Sequence, residues 1–190
     1  MSKLNVVSLV VVGAVGLMMG CGSSQKPKNA LQAELAGAPA WAKGTCLSGL
    51  PGGKGVCGTG SVSGMTNVSL ARSAAEGRAR TELARSLQTR VKAMLKDYQA
   101  ATQGGPQNQT ASEQHIEDVS KQITDTSLSG TRLQDTWISD SGTFWALVVL
   151  DTESFKDSLN NMKQLDDRVR AAIVQRADKA FEELDNATAQ

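Results

Sequence analysis

From Val68 onward, apolar residues return every three or four positions. Ala71, Ala75, Ala79, Leu83, Leu87, Val91, Met94 and Tyr98 form one continuous stripe, the spacing of a helix packed along a single face. The pattern predicts a helix from about Val68 to Ala101, with Asn67 as its cap and Glu76–Arg80 as a supporting pair four residues apart. "TQGGPQNQ" ends it. Ile116, Val119 and Ile123 predict a shorter helix from Ser112 to about Thr126, the alternative being that the segment extends into the coming strand.

The period then changes. Thr131 to Ile138 is predicted as a strand with Leu133 and Trp137 on one face, "SDSG" as a turn, and Thr143 to Leu150 as a second strand. The second run is almost unbroken in its apolar character, as expected of a central strand covered on both faces. Upstream, Gly55 to Ser63 ("GVCGTGSVS") is a glycine-rich strand with Val56 and Val62 turned inward. Its glycines imply that another backbone approaches closely.

Beyond Asp151, Phe155, Leu159, Met162, Leu165, Val169, Ile173, Ala177, Phe181 and Leu184 predict one amphipathic helix. At about 30 residues it is long for a globular domain. The stripe from Leu159 to Leu184 exceeds what one small sheet can cover, which predicts a self-association surface with Val169 and Ile173 in the contact. The alternative is that the stripe folds back on its own chain. The fold class is therefore α+β: a small antiparallel sheet of about three strands, packed by a long helix, with a long C-terminal amphipathic helix.

The first residues follow a different pattern. Lys3 precedes an almost purely apolar run of 14 residues, Val6 to Met19. A membrane span needs roughly 20 residues, so the run suits the apolar core of a secretory signal. It ends in Leu17-Met18-Met19-Gly20-Cys21, which resembles a bacterial lipobox. Gly20 supplies the small residue before the cleavage point, and Met18 departs from the usual leucine. The resemblance implies a signal peptide over 1–20, lipidation of Cys21 (palmitate or similar chains), and a tether over 21–38. One domain, 39–190, follows. Gly22 stands where an aspartate would retain a lipoprotein in the inner membrane, so the implied location is the outer membrane, on its periplasmic side. The alternative is a plain signal peptide with a chance cysteine.

Charge and cysteine content sharpen this picture. Removing residues 1–20 takes away Lys3 and leaves 19 Lys+Arg against 19 Asp+Glu. A neutral chain offers no electrostatic case for nucleic acid as a partner. Cys46 and Cys57 flank a glycine-rich loop, and an oxidising compartment would let them form a disulfide. Metal binding is the rival, although two thiols without a nearby histidine make a poor site.

Catalytic patterns are weak. "GKGVCG", Gly53 to Gly58, matches G-x-G-x-x-G in letters, but it opens a strand rather than a helix, against the needs of a dinucleotide site. His115 is the only histidine and is expected on the surface. Asp166-Asp167 and Glu182-Glu183 are adjacent pairs, so on helices each pair diverges. No catalytic residue, metal, cofactor or small-molecule substrate is expected.

"APAWAKG" with Pro39 and Trp41, "GTGSV" with Gly58 and Gly60, "ARSAAEGRARTELARSL", "LQDTWISDSGTFWALVVLD" and "ADKAFEEL" together resemble the small, twenty-kilodalton-type outer-membrane lipoproteins. That family includes the lipoprotein that builds the flagellar basal disc. The resemblance spans most of 38–185. It implies a small antiparallel sheet crossed by a long helix, no enzymatic activity, and assembly with copies of itself or with an envelope machine such as a flagellar motor. The other function in view is a regulatory module that reaches through the cell wall to activate a peptidoglycan synthase, for which the tether is short.

Overall fold

The computed structural model describes residues 29–44, 50, 54–102 and 109–188. A three-stranded antiparallel sheet forms the middle layer, in the order β1-β3-β2. Its strands are β1 (Gly55–Val62), β2 (Arg132–Ile138) and β3 (Phe144–Asp151). The apolar run Thr143–Leu150 does occupy the centre. Phe144, Ala146, Val148 and Leu150 turn to one face, while Leu147 and Val149 turn to the other, and all six are buried.

Helix α2 (Val68–Thr102) lies across the first face and buries Ala71, Ala75, Ala79, Leu83, Leu87, Val91, Met94 and Leu95. Asn67 caps it, with its Oδ1 accepting from the Leu70 N–H at 3.0 Å. Arg80 and Glu76 pair at 2.8 Å. The glycines of β1 set the approach. A methyl group on Gly58 would overlap the Ala79 carbonyl oxygen and lie 2.5 Å from the Leu83 amide nitrogen; on Gly60 it would overlap the helix backbone at Ala75 and Ala79. The strand and the helix therefore meet backbone to backbone, which only glycine allows at those two positions.

Helices α3 (Gln109–Ser127), α4 (Thr152–Asn160) and α5 (Asp167–Thr188) complete this layer. Ile116 and Ile123 of α3, Phe155 and Leu159 of α4, and Ile173, Ala177 and Phe181 of α5 join Leu83, Leu87 and Val91 in one core. Phe155 and Phe181 meet edge to face, with centroids 5.1 Å apart, a favoured aromatic geometry.

The expected single C-terminal helix is two helices. The break at Asn161–Asp166 has a local cause. Asp166 Oδ1 accepts from the N–H groups of Arg168 and Val169, at 2.9 and 3.2 Å, and so starts α5. The Arg170 guanidinium donates to the carbonyls of Leu159, Met162 and Leu165, satisfying acceptors that the end of α4 and the turn leave open. Met162 and Leu165 stay buried within the turn, so the apolar spacing continues while the helix does not. From Leu159 to Phe181 the stripe folds back on its own chain: Ile173 is fully buried and Val169 half-buried. This overturns the expectation that those two residues mark a self-association surface.

Leu133 and Trp137 also depart from expectation. The β2–β3 register shifts between Leu133 and Asp135. One extra residue reverses the alternation. Leu133 therefore packs toward α2, while Trp137 packs on the opposite face beside Trp145.

The second face of the sheet is covered by the segment that enters the domain. Short helix α1 (Ala30–Glu34) leads to a 3-10 turn, Ala40–Lys43, that follows Pro39. Trp41 is buried there against Leu147, Val149 and Cys57, and its Nε1–H donates to Asp135 Oδ2 at 2.8 Å. The Pro-x-Trp pattern thus serves as a lid over the back of the sheet.

Candidate functional site

Three places on the chain were expected to carry chemistry. Cys21 and Cys46 lie outside the described residues. Cys57 sits on β1 opposite Val149, buried beneath Trp41. His115 is exposed on α3, as expected. Asp166 and Asp167 have separate duties: the first caps α5, and the second pairs with Arg170 at 2.5 Å. The side chains of Glu182 and Glu183 are not among those described. Among the described residues, no group of three or more His, Cys, Asp and Glu side chains could hold a metal ion.

Among the described residues, one concavity is a cavity of about 270 Å³ between the C-terminal part of α2, α3, and the turn leading into α5. Leu95, Ile116, Val119, Leu165 and Val169 form its apolar wall, and Tyr98, His115 and Asp166 bring polar groups to it. An apolar hollow with a few polar groups suits the capture of a side chain or small apolar ligand. Periodicity could not reveal it, because Val119 and Val169 look like ordinary core positions in their separate helices. Elsewhere along α2, Arg90 links that helix to α5 by donating to the Ala180 carbonyl at 2.8 Å; burial lowers its pKa to about 10.

A second organised place is the β2–β3 turn. Glu34, at the end of α1, accepts from the Ser141 hydroxyl. Hydrogen bonding from the turn, that of Ser141 foremost and that of Ser139 next, outweighs desolvation and holds the Glu34 carboxyl down to about 2. The group is thus ionised throughout any physiological range. It fastens the start of the domain to the hairpin turn.

The match to known families falls on the sheet. The family model for the LPP20 lipoprotein matches residues 57–151, half of the chain. The chain belongs to that family. The matched segment runs from the interior of β1 to the last residue of β3, so the LPP20 unit comprises the sheet with α2 and α3. The Trp41 lid and helices α4 and α5 lie outside the match, as do the "APAWAKG" and "ADKAFEEL" stretches. No curated protein matches the chain. LPP20 membership makes this an envelope lipoprotein. Among the described residues no helix is long and apolar enough to cross a membrane.

Proposed function

We propose that this LPP20 protein is held by lipid on Cys21 at the periplasmic side of the outer membrane, and acts there without catalysis as a self-associating structural component. The observation that carries the reading is the family match over residues 57–151, joined to Gly20-Cys21 at the end of an apolar run. Two acyl chains suffice for stable anchoring. Self-association finds its support at β2, an edge strand of a three-stranded sheet. An edge offers unpaired backbone groups to another copy. The bulge at Gln134 interrupts the first half, leaving Asp135–Ile138 as the stretch able to add a strand.

Full-length Cys21→Ala protein is expected to move from the membrane fraction to the soluble one, and retention in the membrane would overturn the anchor. Sedimentation of that soluble protein is expected to show species larger than a monomer, dispersed by Thr136→Pro on the edge strand. A monomer at all concentrations would favour the second reading, a regulatory binding module. The cavity beside Tyr98 and His115 is the feature that suits that role.

Cys46 and Cys57 are proposed to be joined. Ala42 and Leu50, each four residues from Cys46, both pack in the cluster that contains Cys57. Thiol labelling of denatured, unreduced protein from the envelope is expected to find no free thiol at Cys46 or Cys57, and two labelled thiols would refute the bond.

A further inference from the structure

Large apolar side chains left exposed singly over a surface need no explanation. Here they are not scattered. Among the described residues they are Leu31, Met65, Val68, Leu70 and Ile138, and the topology brings all five to one end of the molecule. Ile138 pairs with Phe144, which in turn pairs with Val62, so the three lie side by side across one end of the sheet. Met65 follows in the loop leaving Val62, and Val68 and Leu70 occupy the first turn of α2. Leu31 precedes by one turn the Glu34 that is tied to Ser141 in the hairpin.

The chain enters the domain at this same end. Asn29 lies eight positions after Cys21, and at ~3.3–3.6 Å per residue those eight steps reach no more than about 29 Å. Helix α2 has 35 residues, so at ~1.5 Å each its far end lies about 50 Å away, beyond that reach. A bilayer holding Cys21 must therefore lie near the hairpin end.

We propose that this end is a membrane-docking surface, on which Met65, Val68, Leu70 and Ile138 rest against the lipid layer to which Cys21 is attached. The proposal builds on the anchor reading above. Acyl chains fix the distance, and apolar side chains at the interface fix the orientation. The domain then stands on the membrane with its cavity and the C-terminal part of α2 directed away from it.

Met65 is a built-in probe, because Met94 and Met162, the other methionines after residue 20, are buried. Full-length protein would be purified with its lipid and its Cys21 acylation checked by mass. It would then be placed in vesicles of phosphatidylethanolamine and phosphatidylglycerol whose acyl chains carry a photoactivatable diazirine. Lipid cross-links are expected in peptides 64–72 and 136–140, and peroxide should oxidise Met65 at least roughly five-fold more slowly than in the Cys21→Ala protein. Val68→Glu with Leu70→Glu, both at exposed positions, should abolish the cross-links and restore the oxidation rate while the protein still floats with the vesicles. Cross-links confined to 21–28 or found in 109–127, with Cys21 acylated, would overturn the docking surface and leave the anchor intact. Met65 protection without lipid cross-links would mean that a second copy covers the patch, which also overturns it. An unacylated Cys21 would refute the anchor reading, and the proposal with it.

Discussion

The two halves of α2 face the same interior by opposite means. Toward its start, Ala75 and Ala79 lie on the glycines of β1 with almost no side chain between the two backbones. Toward its end, Leu83, Leu87, Val91, Met94 and Leu95 meet Ile116, Ile123, Phe155 and Phe181 across a thick layer of side chains. The first half is defined by atoms that are missing, and the second by volume that is filled. A thick core can share out a change among many flexible neighbours. A backbone seam has nothing that can move aside except the helix itself.

The sharpest break in that comparison is Gly58→Ala with Gly60→Ala. Each added methyl overlaps helix backbone rather than a side-chain end, so α2 would have to lift off the sheet along its first half. Overpacking commonly costs ~1–3 kcal/mol and occasionally more; two backbone clashes in one seam are expected to exceed ~5 kcal/mol together, within the range of a whole domain's stability. The expected result is protein without a cooperative melting transition. A double variant that melts within a few degrees of wild type would mean the seam is looser than the glycines imply.

Phe155→Ala probes the other half. Its ring is fully buried and touches Phe181. Truncation of a large core side chain costs ~3–5 kcal/mol, according to how well the hole closes. The variant is expected to fold and to unfold at clearly lower denaturant concentration, with α2 still seated on β1. If amide exchange in β1 accelerates as much as in α4 and α5, the two halves are one cooperative unit rather than two packing regimes.

The same contrast separates what could be seen in the sequence from what could not. The α2 stripe, its Asn67 cap, the Glu76–Arg80 pair and the central strand followed from periodicity and from residue types that act locally. Glycine in an otherwise β-forming stretch told of close approach, although not of which backbone approached. The C-terminal break was hidden because Met162 and Leu165 keep helical spacing inside a turn. The signs of the break were present in Asn160-Asn161 as a stop and Asp166 as a cap, and Arg170 needed three carbonyls that only the folded chain brings together. The bulge at Gln134 left no local mark, and it alone decides which face Trp137 takes. The cavity beside Tyr98 needed three separate elements to exist. Cys21 is the reverse case: a purely local string that points to a location whatever the fold.

The smallest expected effect sharpens the comparison from inside α2 itself. Gly77 lies between Ala75 and Ala79, in the half of the helix that sits on the glycine seam, yet it points outward. A methyl group there would meet nothing within 4 Å, and the residue is exposed. Glycine inside a helix is less favourable than alanine by roughly 0.5–1 kcal/mol, because the unfolded chain has more freedom to lose. Gly77→Ala is therefore expected to stabilise the protein by about that amount, a rise of a few degrees in melting temperature for a domain of this size. The substitution is the same in kind as Gly58→Ala, and Gly77 lies only two residues from Ala79, whose carbonyl Gly58 meets. Opposite signs would show that clearance to the neighbouring backbone, not glycine content, governs this half of the molecule. A Gly77→Ala variant less stable than wild type would mean that the outward face of α2 is occupied, and would make that face, rather than β2, the first place to look for a second copy of the chain.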